Sequence, residues 1–220
     1  MPDASTVVQD NPLFQKDLRP MPYWAMLAED KITAWAAGKA EGFSTGFPSL
    51  DGYFRLVEGE MVVIAARPSQ GKTILAVQIA ENVARKLQAD GNPGSVAIFS
   101  AEMTGWSLVV RMAGAMSGVN THNLRMGKGQ QGDAARLKAA ISDIKRLPIW
   151  IDDGSAPTTK TMLEQLTDLN ETNPIRMMLF DFMELGGDRA QSEALRVGSI
   201  AVGLKDIAKK LKIPVVALSQ

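Results

Sequence analysis

Met61-Val62-Val63-Ile64-Ala65-Ala66-Arg67-Pro68-Ser69-Gln70-Gly71-Lys72-Thr73 is the stretch on which the fold of this chain turns. Five apolar residues run together without alternation, as in a strand buried on both faces. A short loop follows, and Gly71-Lys72-Thr73 opens a helix-period stretch over about 73–89. Strand, loop and helix in that order are the context a Walker A phosphate loop requires. The chemistry accounts for the residue types from Ala66, Arg67, Pro68, Ser69 and Gln70 to Thr73. Successive backbone N–H groups and the helix N-terminus can cradle a phosphate. Gly71 keeps a side chain out of the phosphate's way. Lys72 would neutralise the β- and γ-phosphates, and Thr73 would offer its hydroxyl to Mg²⁺. The first position is Ala66 where the general motif has Gly.

The same rhythm continues on both sides of the loop. Apolar runs recur at 95–99, 149–151, 177–180 and 215–218, with helix-period stretches at about 106–117, 133–146, 159–170 and 190–212 between them. Ile200, Leu204, Ile207 and Leu211 form the stripe of the last helix. Strands alternating with helices predict an α/β fold, a parallel sheet covered on both faces.

Strand ends in such a sheet carry the ligand crevice, so the residues there are the candidates. Ser100-Ala101-Glu102-Met103 ends the second apolar run. Glu102 could polarise an attacking water, or be a first-turn acid favoured by the dipole of the next helix. Met177-Met178-Leu179-Phe180-Asp181 resembles Walker B, with Asp181 holding the hydration shell of Mg²⁺. A carboxylate at the end of a buried strand calls for a cation partner. Asp152 and Asp153, followed by Gly154 and Ser155, read as turn and cap residues. Gln220 ends the last strand, where a Gln could sense the γ-phosphate.

Composition narrows the classes. The chain has 220 residues, 45% of them apolar and 22% charged, which suits a globular domain with its own core. Lys plus Arg is 24 and Asp plus Glu is 24, so no global basic field draws it to nucleic acid. Cysteine is absent, which excludes disulfides, thiol catalysis and cysteine zinc sites. No apolar stretch approaches the roughly 18 residues of a membrane span. The N-terminus lacks the basic start and apolar core of a signal peptide, so the expected location is cytoplasmic. Residues 1–21, with Pro2, Pro12 and Pro20, read as a flexible lead-in. Residues 23–37 predict a helix with Trp24, Ala28, Ile32 and Trp35 on one face. Gly42 to Gly59 reads as a boundary, and Lys205, Lys209 and Lys212 as a solvated helix face.

Four segments together carry a resemblance: Thr45-Gly46-Phe47-Pro48-Ser49-Leu50-Asp51, the phosphate loop with Ala65-Ala66, Ile98-Phe99-Ser100-Ala101-Glu102-Met103, and Pro214-Val215-Val216-Ala217-Leu218-Ser219-Gln220. They resemble the DnaB family of replicative DNA helicases over residues 43–220, the RecA-like P-loop NTPase motor domain, with residues 1–42 as lead-in and linker helix. The family loop also has Ala where Ala66 stands. The resemblance implies a hexameric ring that moves along single-stranded DNA by hydrolysing ATP with Mg²⁺. It implies phosphate binding by the 66–73 loop, Mg²⁺ at Thr73 and Asp181, catalysis by Lys72, Glu102 and Gln220, and DNA contact by Gly187 and Arg189 in the segment Gly186–Gln191. A helicase loader or primase is the further implied partner; no membrane is. Glu184 departs from the family's usual Gln.

The family's trans-acting arginine and second DNA loop lie beyond the position of Gln220. On that reading the 220-residue chain should bind ATP, hydrolyse it slowly and separate no strands alone. Two other functions compete with a motor: an interaction protein that binds nucleotide or caps a helicase ring without unwinding, and another RecA-like ATPase of the RadA or recombinase type.

Overall fold

The computed structural model describes residues 18–220. Residues 1–17 of the expected lead-in lie outside the described residues. The chain divides into two units, one ending at Glu41 and one spanning Gly42–Gln220. The first contains helix α1, Met21–Ala36, within two residues of the expected span. Pro20 is its N-cap and Pro22 stands in its first turn, where a fixed φ suits the helix and no N–H is missed. Gly38, at φ 77°, follows its end. Trp24 and Trp35 are each half exposed.

The second unit begins at Gly42, where the expected boundary begins, and residues 42–59 form a packed collar within it. Phe43 and Leu56 pair as an antiparallel bridge, and Thr45 and Leu56 are fully buried. The short helix α2, Pro48–Asp51, ends on the acid that organises the turn. Asp51 accepts hydrogen bonds from Thr45 N (2.7 Å), Thr45 Oγ1 (2.8 Å) and Ser44 Oγ (2.5 Å). Asn82 Nδ2 donates to Thr45 O at 2.9 Å and so fastens the collar to the domain. Gly46 is required there: its φ is +80°, and a Cβ would fall 2.1 Å from Asn82 Nδ2. Small and polar residues that suggest a linker in the sequence serve here as hydrogen-bonded turns.

Five strands make one parallel sheet: β1 (Met61–Ala65), β2 (Ser95–Ser100), β3 (Ile149–Asp152), β4 (Ile175–Asp181) and β5 (Val215–Ser219), in the order β1-β5-β4-β2-β3. Helices α3 (Lys72–Ala89), α4 (Gly105–Ser117), α5 (Thr121–Arg125), α6 (Asp133–Ile144), α7 (Thr159–Thr172) and α8 (Glu193–Leu211) connect them. Alternate strand residues serve two cores. Val96, Ile98, Met177, Leu179, Val216 and Leu218 pack with α3, α4 and α6. Ala97, Phe99, Met178, Phe180, Val215 and Ala217 pack with α7 and α8. The expected α/β fold with helices on both faces is therefore present. Burial on both faces holds for β2, β4 and most of β5. It fails for β1 and β3, where Val63 and Trp150 are 44% and 48% exposed. Both strands lie at the sheet edges, a position that an apolar run cannot report. On α8 the expected lysine face is only partly solvated, since Lys205 Nζ donates to Gly59 O at 2.9 Å.

Register positions the site. Ser100 pairs with Asp181, and Ala65 with Ser219. The segments that leave β1, β2, β4 and β5 therefore emerge at the same end of the sheet, beyond the strands' C-termini.

Candidate active site

The loop between β1 and α3 is held in an unusual backbone path. Ser69 has φ 64° and Gly71 φ +85°; Gly71 is the N-cap of α3 without a side-chain bond. A Cβ at Gly71 would meet nothing within 4 Å, so here glycine is needed for its left-handed conformation and not for space. Lys72 is buried, and its Nζ donates to Ala66 O at 2.6 Å and Arg67 O at 3.3 Å. The buried ammonium is thus satisfied by the loop's own carbonyls.

A cavity of about 280 Å³ opens beside this loop. Pro68, Ser69, Gly71, Lys72, Thr73, Glu102, Asp181 and Gln220 all line it. Ala66 and Arg67 contribute the carbonyls that hold Lys72 and do not line the cavity, and Gln70 is exposed. Gly187 and Arg189 are likewise absent from its walls.

Glu102 lies two residues before Thr104, the N-cap of α4, and no acid occupies that helix's first turn. This removes the reading of Glu102 as a first-turn acid. Its turn is held by Ser100, whose Oγ accepts from Met103 N (3.2 Å) and donates to Met103 O (2.7 Å). Ala101 N donates to Asp181 O at 2.8 Å, joining the turn to the end of β4. Glu102 as a whole is an exposed residue.

Asp181 is 2% exposed, and its Oδ2 has no partner. Burial pushes its carboxyl above the ordinary 3.8. The Thr73 hydrogen bond opposes this, the Glu102 charge adds to it, and Arg111 and Lys72 oppose it. A buried, orphaned carboxylate oxygen beside the Thr73 hydroxyl is the donor set a hard divalent cation takes. The residues present therefore fit Mg²⁺.

Two residues escape the sequence reading. Arg111, an exposed residue on α4, lines the cavity; in sequence it is an ordinary arginine on an amphipathic helix. Glu184 Oε1 accepts from Gln220 N at 2.9 Å and Ser219 Oγ at 2.5 Å, joining the segment after β4 to the end of β5. Its only sequence signal is the departure from the family's Gln.

A parallel five-stranded sheet with a phosphate loop after its first strand and an acid closing the strand two places away defines a RecA-like P-loop domain. The profile of the DnaB-like helicase C-terminal domain family matches residues 42–220, and the chain belongs to that family. Replicative DNA helicase DnaB of Geobacillus stearothermophilus is 35% identical over 190 residues, covering 83% of this chain and 40% of that protein. Replicative DNA helicase DnaC of Bacillus subtilis is 36% identical over 190 residues, with the same coverage. The chain thus spans about 40% of the length of these relatives. Among solved structures, an ATPase domain superposes with a TM-score of 0.78 at 25% identity, over 93% of this chain and 72% of that one. A DnaB-like replicative helicase, whose structure addresses its interactions with primase, gives 0.76 at 24% identity over 93% and 49%, which supports the fold.

Proposed function

We propose that this chain binds ATP with Mg²⁺ and hydrolyses it, as the motor domain of a ring-forming replicative helicase that moves along single-stranded DNA. In this proposal residues 1–42 are the lead-in and linker helix and 43–220 the motor. One observation supports the reading most: Lys72, Thr73, Glu102, Asp181 and Gln220, distant in sequence, line a single cavity. The loop from Ala66 to Thr73 takes the phosphates, with Lys72 exchanging its two carbonyl acceptors for phosphate oxygens. Thr73 and Asp181 hold Mg²⁺, which when bound offsets charge on the phosphate oxygens. Glu102, outside the helix and exposed to the cavity, accepts the proton of the attacking water. Gln220 contacts the γ-phosphate, and Gly187 and Arg189 contact DNA. The partners on this reading are single-stranded DNA, five further copies in a hexamer, and a helicase loader or primase, in the cytoplasm.

Steady-state ATP turnover with and without oligothymidylate, on the chain and on Glu102→Gln, tests the proposal. Mg²⁺-dependent turnover raised by the oligonucleotide and lost in Glu102→Gln is expected. A chain that fails to bind a fluorescent ATP analogue in a titration would overturn it.

A further inference from the structure

The loop between β3 and α7 touches two regions that lie far apart in sequence. At its start, Asp153 Oδ2 accepts a hydrogen bond from Gly105 N at 2.8 Å. Gly105 is the first residue of α4, and the N-cap Thr104 supplies no side-chain cap of its own. A carboxylate from the end of another strand therefore caps this helix, just past the Glu102 turn. Ser100 and Asp181 O hold the beginning of that turn; Asp153 holds its end.

At the other end of the loop, Gly187 N donates to Pro157 O at 3.0 Å. Asp188 accepts from Thr159 N at 3.0 Å and from Thr159 Oγ1 at 2.7 Å. The two segments are in close contact, because a Cβ on Gly187 would fall 2.1 Å from Ala156 O. The start of the loop is also held by Asp152 Oδ1, which accepts from Gly154 N at 2.7 Å. Residues 153–159 thus run a short distance from the Glu102 turn to the Gly186–Gln191 segment and are fixed by hydrogen bonds at both ends. A separate set of bonds leads from the same region toward Gln220: Arg196 donates to Glu184 O and Gly186 O, and Glu184 holds Ser219 and Gln220. That route does not reach Glu102 through Asp153.

We propose that residues 153–159 form a connector in which Asp153 is a positioning residue for Glu102, and through which movement of the Gly186–Gln191 segment is passed to the Glu102 turn. The inference rests on the assignment of Glu102 and of Gly186–Gln191 made above. Its physical content is a seven-residue stretch of backbone, short and anchored at both ends, whose two ends should respond to one another.

Three variants of the chain test it: Asp153→Ala, Asp153→Asn and Asp188→Ala. Hydrogen exchange over residues 103–107, read by mass spectrometry, should speed up about tenfold in Asp153→Ala. It should also speed up in Asp188→Ala, where the substitution lies at the other end of the connector. Asp153→Asn keeps an acceptor oxygen and should stay near the parent chain. Turnover in Asp153→Ala should fall by about ten- to a hundredfold, as for a slightly misplaced catalytic group. Nucleotide affinity should hold within about twofold, the mark of a lost kcat contribution. Unchanged exchange over 103–107 in Asp188→Ala overturns the connector. Undiminished turnover in Asp153→Ala, where Glu102→Gln has lost it, overturns the positioning role. Should Glu102→Gln keep its turnover, the proposed active site is wrong, and the exchange measurement still decides the connector. If Asp153→Ala does not fold, Asp188→Ala and Asp153→Asn carry the test.

Discussion

Lys72, Glu102 and Asp181 share one cavity but sit in different physical states, and each state sets a different expectation. Lys72 is buried against two carbonyls that accept its ammonium hydrogens. Lys72→Ala should weaken Mg-nucleotide affinity by about tenfold or more, as for the loss of a charge-assisted contact. Fluorescent-nucleotide titration checks this. Glu102→Gln should leave that affinity near normal and lower turnover by roughly 10²–10⁴-fold, because an amide accepts no proton from water. Asp181 is the one whose burial costs stability. Its carboxyl is held above 3.8, chiefly by burial. Its contribution to stability is therefore full below pH 3.8 and is lost as pH rises through the folded value. Asp181→Asn should raise the melting temperature of the nucleotide-free chain at neutral pH by roughly 2–4 °C. The gain should shrink toward pH 4, and Mg²⁺-dependent nucleotide affinity should fall. Thermal melts across pH would reject this account if the variant melted lower throughout.

The collar from Gly42 to Gly59 shows how an element is fixed by one side chain. Asp51 gathers Ser44 and both hydrogen-bonding groups of Thr45, and Thr45 O receives Asn82 of α3. Burial raises the Asp51 carboxyl, but the Ser44 and Thr45 donors, with Arg55 nearby, outweigh it and hold the group below 3.8. Its contribution is present above pH 3.8 and fades as pH falls below that value. Asp51→Ala should cost about 1–3 kcal/mol at neutral pH, since buried Thr45 loses the acceptor of its N–H and keeps only the longer 3.4 Å contact of its hydroxyl to Phe47 O. The cost should diminish in acid. Urea unfolding of both proteins at pH 7 and pH 3 measures both effects.

Across the whole chain, the sheet decides which residues meet. Strand order β1-β5-β4-β2-β3 places β5 and β4 between the phosphate-loop strand and the Glu102 strand. Both hydrophobic cores draw all their fully buried residues from Leu56–Leu218. A chain that begins at Gly42 should therefore fold alone, with a melting temperature within about 4 °C of the 220-residue protein, the shift expected for a change of about 1 kcal/mol or less. Calorimetry on the two proteins tests this; loss of cooperative unfolding in the shorter one would show that the core is not self-sufficient.

The sequence by itself determined the elements and which polar residues stand at their ends. Apolar runs and helix periods marked the five strands and the long helices to within a few residues, because burial on a strand or helix leaves a local period. The positions of the 66–73 loop, Glu102 and Asp181 at strand ends were legible because strand-end position and residue type are both local. The short helices Pro48–Asp51 and Thr121–Arg125 left no period long enough to read. Only the tertiary structure decided strand order, and with it the exposed edges at Val63 and Trp150. It alone brought Arg111 to the cavity, Glu184 to Gln220 and Asp153 to Gly105. Each of these contacts joins residues tens of positions apart or places a side chain on a particular helix face. Packing sets such distances, and no period within a single segment encodes them.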